Sequence, residues 1–350
     1  MVSGVARARS QFLAGTRGRI LNAVLLVLIA AALVLVATKA VALGPAYFIQ
    51  ILVYGLADGS IYALIALGYT MVYGIVELIN FAHGDVFTLG GFISLWLIPI
   101  FGLDEATSSG GAIVLPLLAI LVISMLVCGV VNVTIERVAY RPLRHAPRLA
   151  PLITAVGMSF VLEGLMFLWR GPFNLHYPNL LPADSIALGP PGGATIAYKD
   201  IAVIVIALTL MFSLSLFVER SKLGKAMRAT AQDRDAAGLM GIDINRTIAA
   251  TFFIGALLAG AGGMIYGLYF TSIAFDLGFS AGLYAFTAAV FGGIGNIQGA
   301  AVGGLLIGIV RVIVDGYFDS AWTDVVVFAL LVLVLVFRPT GIMGMRVPEK

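Results

Sequence analysis

Long stretches without a single charged residue limit this chain more than any other feature. They run from Ile20 to Thr38, from Ala112 to Ile135 and from Val325 to Phe337. A helix of about 20 residues spans about 30 Å of hydrocarbon, at roughly 1.5 Å per residue. A membrane β-barrel would instead contain alternating segments of about ten residues. The sequence therefore predicts an all-α, polytopic membrane protein.

Composition supports this fold class. Charged residues make up 11% of the 350 residues, whereas a soluble domain carries about 25%. The net charge of +3 comes from basic residues spread along the chain rather than from one basic patch, so no nucleic-acid partner is expected. The single cysteine, Cys128, lies in an apolar run and is interpreted as a packing residue.

Apolar windows predict about ten membrane spans, with eight as the alternative. The windows 280–297 and 299–315 are short and broken by glycines, so re-entrant elements remain possible there. The predicted spans are 20–38, 47–69, 86–103, 113–135, 152–170, 200–218, 247–270, 280–297, 299–315 and 322–338.

The first window also fits the front of a signal peptide, because arginines precede it and Ala40-Val41-Ala42 resembles a cleavage site. Its apolar run is longer than the usual signal core of about 7 to 15 residues. We therefore expect a retained first span. The arginines before it are Arg7, Arg9, Arg17 and Arg19.

Basic residues cluster before the first window, after the fourth, after the sixth and at the carboxyl end. Positive residues mark the cytoplasmic side, so both termini are predicted to be cytoplasmic. The segments 104–111 and 171–199 then lie outside. The second of these is too structured in composition for a plain linker, which makes it a candidate docking surface.

Glycines interrupt two apolar segments, 69–91 and 285–304. Gly-broken segments in corresponding halves indicate a transport pathway built on an internal repeat, although close helix packing uses glycine as well. Gly292, Gly293 and Gly295 are the candidate pathway residues in the second segment.

The first segment also contains the polar residues Asn80, His83 and Asp85. One interpretation places them at the cytoplasmic membrane edge, capping a helix that begins near Asp85. The other places them on the pathway, as lining or gate residues. A metal or proton site has too few ligands, and Glu163 is the other intramembrane acid considered. No metal site is predicted.

The segment 219–246 is far more polar than its surroundings. Helix-forming residues from Lys225 to Met240, followed by Gly241, predict one short amphipathic helix outside the bilayer. A plain solvated connection is the alternative.

Within it, "DAAGLMG" (Asp235, Ala236, Ala237, Gly241) resembles the Glu-Ala-Ala-x-x-x-Gly signature of permeases in bacterial ABC importers, with Asp in place of Glu. Further segments occur in the same order: "GLADGSIYALIALGYTMVYGIVELINFAHGD", "IERVAYRPLRHAPRLAPLITAVGMS", "GKAMRATAQDRDAAGLMGI", "AFTAAVFGGIGNIQGA" and "FRPTGIMG". Together they resemble the permease subunit of branched-chain amino acid ABC importers, over roughly 47–344.

The resemblance implies two cytoplasmic ATPase subunits, a second related permease, a periplasmic solute-binding protein and a bacterial inner-membrane location. The signature residues, with Arg228 and Arg234, would form the ATPase-coupling region. Residues 1–45 would be an added amino-terminal helix, 46–344 the permease domain and 345–350 a tail.

The resemblance implies transport of Leu, Ile or Val; urea, short amides or other amino acids are the alternative substrates. The chain lacks a Gly-x-x-x-x-Gly-Lys-Ser/Thr loop, so ATP and Mg²⁺ are expected in the partners, with no cofactor on this chain. We expect a transport subunit rather than an enzyme. An ion-coupled carrier is the rival, and it would need more intramembrane acids than Glu163.

Overall fold

The computed structural model describes residues 23, 30–31, 34–105, 113–144, 146–147, 149–182, 184–188, 193–338 and 340–344. Most of the predicted first span, the arginines before it and the tail 345–350 lie outside these residues. The choice between a retained span and a signal peptide therefore stays a prediction, as do the domain boundaries. The described part of this region ends in a short apolar helix, α1 (Val34–Leu43).

Eleven further helices follow in the described part of the chain. They are α2 (Pro45–Val76), α3 (Ala82–Ile100), α4 (Val114–Ile135), α5 (Leu149–Arg170), α6 (Tyr198–Arg220), α7 (Lys222–Gln232), α8 (Arg234–Leu239), α9 (Ile244–Phe270), α10 (Leu277–Gly292), α11 (Ile297–Tyr317) and α12 (Thr323–Phe337). Within the described ranges, eight helical segments are long and apolar enough to cross a membrane. The predicted polytopic helical fold is confirmed.

Helix α10 is the exception among the predicted spans that the structure describes in full, because the turn Ser320–Trp322 extends the 15 residues of α12 to a continuous span of 18. Its 16 residues extend about 24 Å at 1.5 Å per residue, which is less than the hydrocarbon thickness. Helix α11, with 21 residues, is long enough to cross. Of the two windows considered for re-entrant elements, only the first is therefore short.

Helices α2, α3 and α9 form the centre of the bundle and are largely buried, whereas α4, α5, α6 and α12 expose most of their surface. Helix α2 also packs along α11 with the backbones in close contact. A Cβ added at Gly308 would lie 2.1 Å from the Cα of Gly59. Small residues allow this approach, and the resulting dispersion contacts hold helices together where water does not drive association.

Two small antiparallel sheets lie at one end of the bundle. Strand β1 (Leu175–His176) pairs with β4 (Ser272–Ile273), and β2 (Ser185–Leu188) pairs with β3 (Ala194–Ala197). We call this the strand end. The opposite end, which carries residues 77–81, 221–243 and 293–296, is called the loop end.

The polar segment at the loop end contains two helices, so the prediction of one helix over 225–240 is wrong. Asp233 adopts an extended conformation between α7 and α8, and its side chain accepts hydrogen bonds from the N–H groups of Asp235 and Ala236. A capping aspartate satisfies the free amides of a new helix start. The residues on both sides of Asp233 favour helix, so composition alone did not indicate that a second helix begins there.

Candidate functional site

The first Gly-rich segment breaks the helical bundle between α2 and α3. Helix α2 ends at Val76, and Glu77 takes a left-handed conformation with φ of 57°. Residues 77–80 are irregular, and α3 begins at Ala82. The broken helix was predicted correctly. Phe81 at the start of α3 makes no side-chain capping bond, whereas Asp85 lies in the first turn of that helix, so the capping and pathway interpretations both stay predictions.

The chain re-enters the bundle after this break. A Cβ at Gly68 would lie 2.0 Å from Nε2 of His83, and Gly68 precedes the end of α2 by eight residues, about 12 Å. Ser159, near the middle of α5, donates a hydrogen bond to Asp85. Residues 77–81 therefore run from the loop end back along α2, and His83 and Asp85 lie inside the bundle.

Asn80 connects three separate parts of the chain. Its Oδ1 accepts a hydrogen bond from the Tyr140 hydroxyl at 2.7 Å, and its Nδ2 lies 3.4 Å from Oδ1 of Asn132. Asn132 in turn donates to the carbonyl of Phe252 in α9, at 2.8 Å. Because buried polar groups are costly unless paired, this chain of bonds fixes the break relative to α4 and α9.

His83 and Asp85 are fully buried beyond the break. The ring of His83 lies against the backbone of α2 at Gly68 and packs edge-on to Tyr69 at 5.0 Å. Asp85 uses Oδ2 for Ser159, and its Oδ1 has no hydrogen-bond partner among the described residues. The described residues contain no group of three His, Cys, Asp or Glu suited to a metal ion.

The starts of α3 and α10 meet beside these side chains. A Cβ at Gly84 would lie 2.2 Å from the carbonyl oxygen of Gly278, so only glycine permits this contact. Both helices direct their amino-terminal ends, which carry partial positive charge, toward the same region. Asp85 lies in the first turn of α3, where that charge stabilises a carboxylate.

The second Gly-rich segment forms the turn between α10 and α11 at the loop end. Gly293 has φ of 117°, and Gly292 packs against Gly299 so closely that an added Cβ would lie 1.9 Å from its carbonyl oxygen. Gly295 lines a cavity of about 320 Å³ together with Arg228. His83 and Asp85 do not line this cavity.

Arginines attach the polar segment to the helices above it. Nη2 of Arg234 donates to the carbonyl of Ile75 at 2.8 Å, in the last turn of α2. Arg228 donates to the carbonyls of Val218 and Glu219 near the end of α6. Carbonyls at a helix end lack partners inside the helix. Each arginine satisfies such groups and fixes α7 or α8 to a long helix.

A cavity of about 390 Å³ separates α8 from the break. Glu77, Arg144 and Asp235 contribute to its lining. Arg144 also pairs with the buried carboxylate of Glu136 and donates to Asn245 at 2.6 Å. The space next to the Arg234–Ile75 contact is thus lined by charged groups.

The signature residues of α8 point in different directions. Ala237 is buried against the rest of the protein, whereas Asp235, Ala236 and Gly241 are exposed. Leu239 and Met240 beside them are 90% and 84% exposed. Two large apolar side chains in this setting form a surface suited to a protein partner.

Sequence reasoning missed a second buried polar group. Arg311 in α11 donates to Asp58 of α2 and to the hydroxyl of Tyr62, each at 2.8 Å. Glu163 is half-buried, whereas Asp58 and Asp85 are buried, so naming Glu163 as the chief intramembrane acid was wrong. A single Asp and a single Arg of opposite charge in apolar windows could have suggested the pair.

The arrangement defines a class of protein. Among the described residues, eight helices are long and apolar enough to cross a membrane, a central helix is followed by an irregular break, and a polar segment with an exposed apolar surface is fixed to the end of that helix. This is the architecture of a multi-pass membrane permease.

Comparison with known proteins defines the family. Residues 51–335 match the family described as branched-chain amino acid transport system / permease component, and this chain belongs to that family. It is 45% identical to the high-affinity branched-chain amino acid transport system permease protein BraD of Pseudomonas aeruginosa, over 87% of this chain and 98% of that protein.

It is similarly 41% identical to the permease protein LivH of the corresponding system in Escherichia coli, with the same two coverages. A more distant relative is the probable branched-chain amino acid transport permease protein LivM of Methanocaldococcus jannaschii, 23% identical over 83% of this chain and 91% of that protein. No solved structure matches the chain.

Proposed function

We propose that this chain is the permease subunit of an ATP-driven importer that carries Leu, Ile or Val across the bacterial inner membrane. The hydrogen bond from Arg234 to Ile75 is the observation that carries the proposal. It joins the polar segment to the broken helix at the centre of the bundle. Membership of the family and the names of the relatives support the substrate class.

The loop end would face the cytoplasm, with both termini on that side. The exposed surface of α8, formed by Asp235, Ala236, Leu239 and Met240, would bind one of two ATPase subunits. Apolar side chains would supply contact area, and the charge of Asp235 would fix the register. ATP and Mg²⁺ would bind to those subunits, and this chain would hold no cofactor.

A second, related permease would complete the pathway, and a periplasmic binding protein would deliver the amino acid to the strand end. Movement of α8 on ATP binding would act through Arg234 on the end of α2. The break contains Asn80 and leads to the buried polar side chains of His83 and Asp85, which suit a role in gating. Gly292, Gly293 and Gly295 would let the turn between α10 and α11 adjust at the same end.

Uptake by purified complexes in liposomes tests this proposal. The complex would be supplied with ATP inside or outside and with labelled leucine, urea or a short amide. We expect leucine uptake that requires ATP and the binding protein. Uptake of urea or the amide in place of leucine would overturn the substrate. Uptake driven by an ion gradient without ATP would overturn the whole proposal.

A further inference from the structure

A charged cluster lies inside the bundle toward the strand end, far from the break. It consists of Asp58, Tyr62, Tyr284 and Arg311, and we call it the Arg311 cluster. The carboxylate of Asp58 is 3% exposed and the side chain of Arg311 is 22% exposed. Arg311 precedes the end of α11 by six residues, about 9 Å. Charges at such a position are rare and mark functional sites by default.

The two charged groups are only partly satisfied by each other. Arg311 uses Nη1 for both Asp58 and Tyr62, while its buried Nε has no hydrogen-bond partner among the described residues. Oδ1 of Asp58 is likewise buried without a partner there. The Nε–H of Arg311 and Oδ1 of Asp58 are therefore available, among the described residues, to the anionic and the cationic group of one ligand.

Aromatic rings enclose the guanidinium. Its central carbon lies 5.6 Å from the ring centre of Tyr62 and 5.4 Å from that of Tyr284. The two rings contact each other edge-on, and Phe328 stacks on Tyr284. These faces offer apolar contact next to the charges, as an aliphatic side chain attached to a zwitterion requires.

A purely structural role explains the cluster poorly. Helices α2 and α11 already pack backbone to backbone through Gly59 and Gly308, and an apolar pair often stabilises as well as a buried ion pair. Asp315 on α11 and Asp324 on α12 add exposed acids near the cluster, and Asp324 accepts a hydrogen bond from Tyr284. Such a surface is costly against lipid, so it faces water or another protein.

We propose that the Arg311 cluster holds the amino acid during its passage through the permease. The inference rests on the proposed function and deepens it. The substrate carboxylate binds at the free Nε edge of Arg311, the ammonium group binds at Oδ1 of Asp58, and the branched side chain contacts the tyrosine rings. Urea and simple amides carry neither charge, so this site also selects zwitterions.

Uptake of labelled leucine at saturating binding protein, measured together with ATP hydrolysis, tests the site. Arg311→Lys keeps the positive charge but loses the planar edge. We expect leucine uptake to fall about tenfold or more, with ATP hydrolysis within about twofold of the unmodified complex, so that more ATP is used per leucine. Tyr317→Phe on the same helix removes a buried hydroxyl that has no hydrogen-bond partner in the described part of the chain and is the matched control.

A charge exchange separates binding from structure. The double variant Asp58→Arg with Arg311→Asp restores an ion pair between α2 and α11 but interchanges the positions of the two charges. We expect normal assembly without leucine uptake. Recovery of uptake by the exchange, or uptake unchanged in Arg311→Lys, would overturn the inference. If the unmodified complex does not import leucine, the proposed function itself fails, and the two failures are distinguishable.

Discussion

Arg234 connects α8 at the loop end to the last turn of the central helix α2. Its bond to the carbonyl of Ile75 is charge-assisted and therefore stronger than a neutral hydrogen bond. We expect Arg234→Ala to reduce leucine uptake severalfold while ATP hydrolysis continues, because α8 can still contact its partner but no longer moves α2. The measurement is the ratio of leucine imported to ATP hydrolysed.

Arg246→Ala is the control for that experiment. Arg246 lies in the same part of the chain, and its side chain is 90% exposed in an ion pair with Asp243. Exposed pairs contribute little, so the ratio should stay unchanged. Equal effects of the two variants would mean that loss of positive charge, rather than loss of the contact with α2, is responsible.

The contacts of Glu105 should make the stability of the strand end depend on pH. The backbone N–H of Asn179 and the ring of His176 bond to its carboxylate, at 3.0 Å and 2.9 Å, and these bonds lower the pKa of Glu105. Because the pKa of Glu105 is lower in the folded protein than in the unfolded chain, the contact contributes its full stability at pH values above the ordinary glutamate pKa. This contribution is lost as the pH falls through the lowered pKa of the folded protein. The segment 171–182 should therefore loosen in acid.

Hydrogen exchange of the segment 171–182 checks this expectation. Protection factors, corrected for the intrinsic effect of pH, should fall between about pH 6 and pH 3. Glu105→Gln removes the titrating group, so the protection of the segment 171–182 in this variant should be low at both about pH 6 and about pH 3. Protection that stays constant in the unmodified protein would contradict the role of Glu105.

At the scale of the element, Asp233 determines where α8 begins. Its side chain caps the N–H groups of Asp235 and Ala236. Loss of such a cap costs about 1 kcal/mol, which is large for a helix of 6 residues. Asp233→Ala should therefore lower the exchange protection of residues 234–239 while leaving α9 unchanged, whereas Asp233→Asn should retain most of the protection. Equal protection in all three proteins would exclude the capping role.

The sequence predicted which segments are helices but not how they are placed in depth. Apolar windows identified the long helices, because hydrophobic length alone decides which segments can cross a membrane. The return of residues 77–81 along α2 depends on the contact of His83 with Gly68, which is 15 residues away and leaves no periodic signal. Asp58 and Arg311 form an ion pair although they lie more than 250 positions apart. The sequence shows one acid and one base in apolar windows but contains no signal that brings them into contact.

At the scale of the whole molecule, the orientation in the membrane can be measured by labelling single cysteines at the two ends of the bundle. Cys128 is the only cysteine of the chain and is buried, so the native protein gives little background in thiol labelling. Ser185, at the strand end, and Lys225, at the loop end, are both exposed. In intact cells, an impermeant maleimide should label Ser185→Cys but not Lys225→Cys.

Opening the membrane should make Lys225→Cys reactive, which separates a cytoplasmic position from a buried one. Both variants should leave ATP-driven uptake intact, so that labelling is read in an assembled complex. The reverse pattern, with Lys225→Cys reactive in intact cells, would place α8 outside. No ATPase could then bind there, because ATP is supplied from the cytoplasm, and the coupling role of Arg234 would fail together with the orientation.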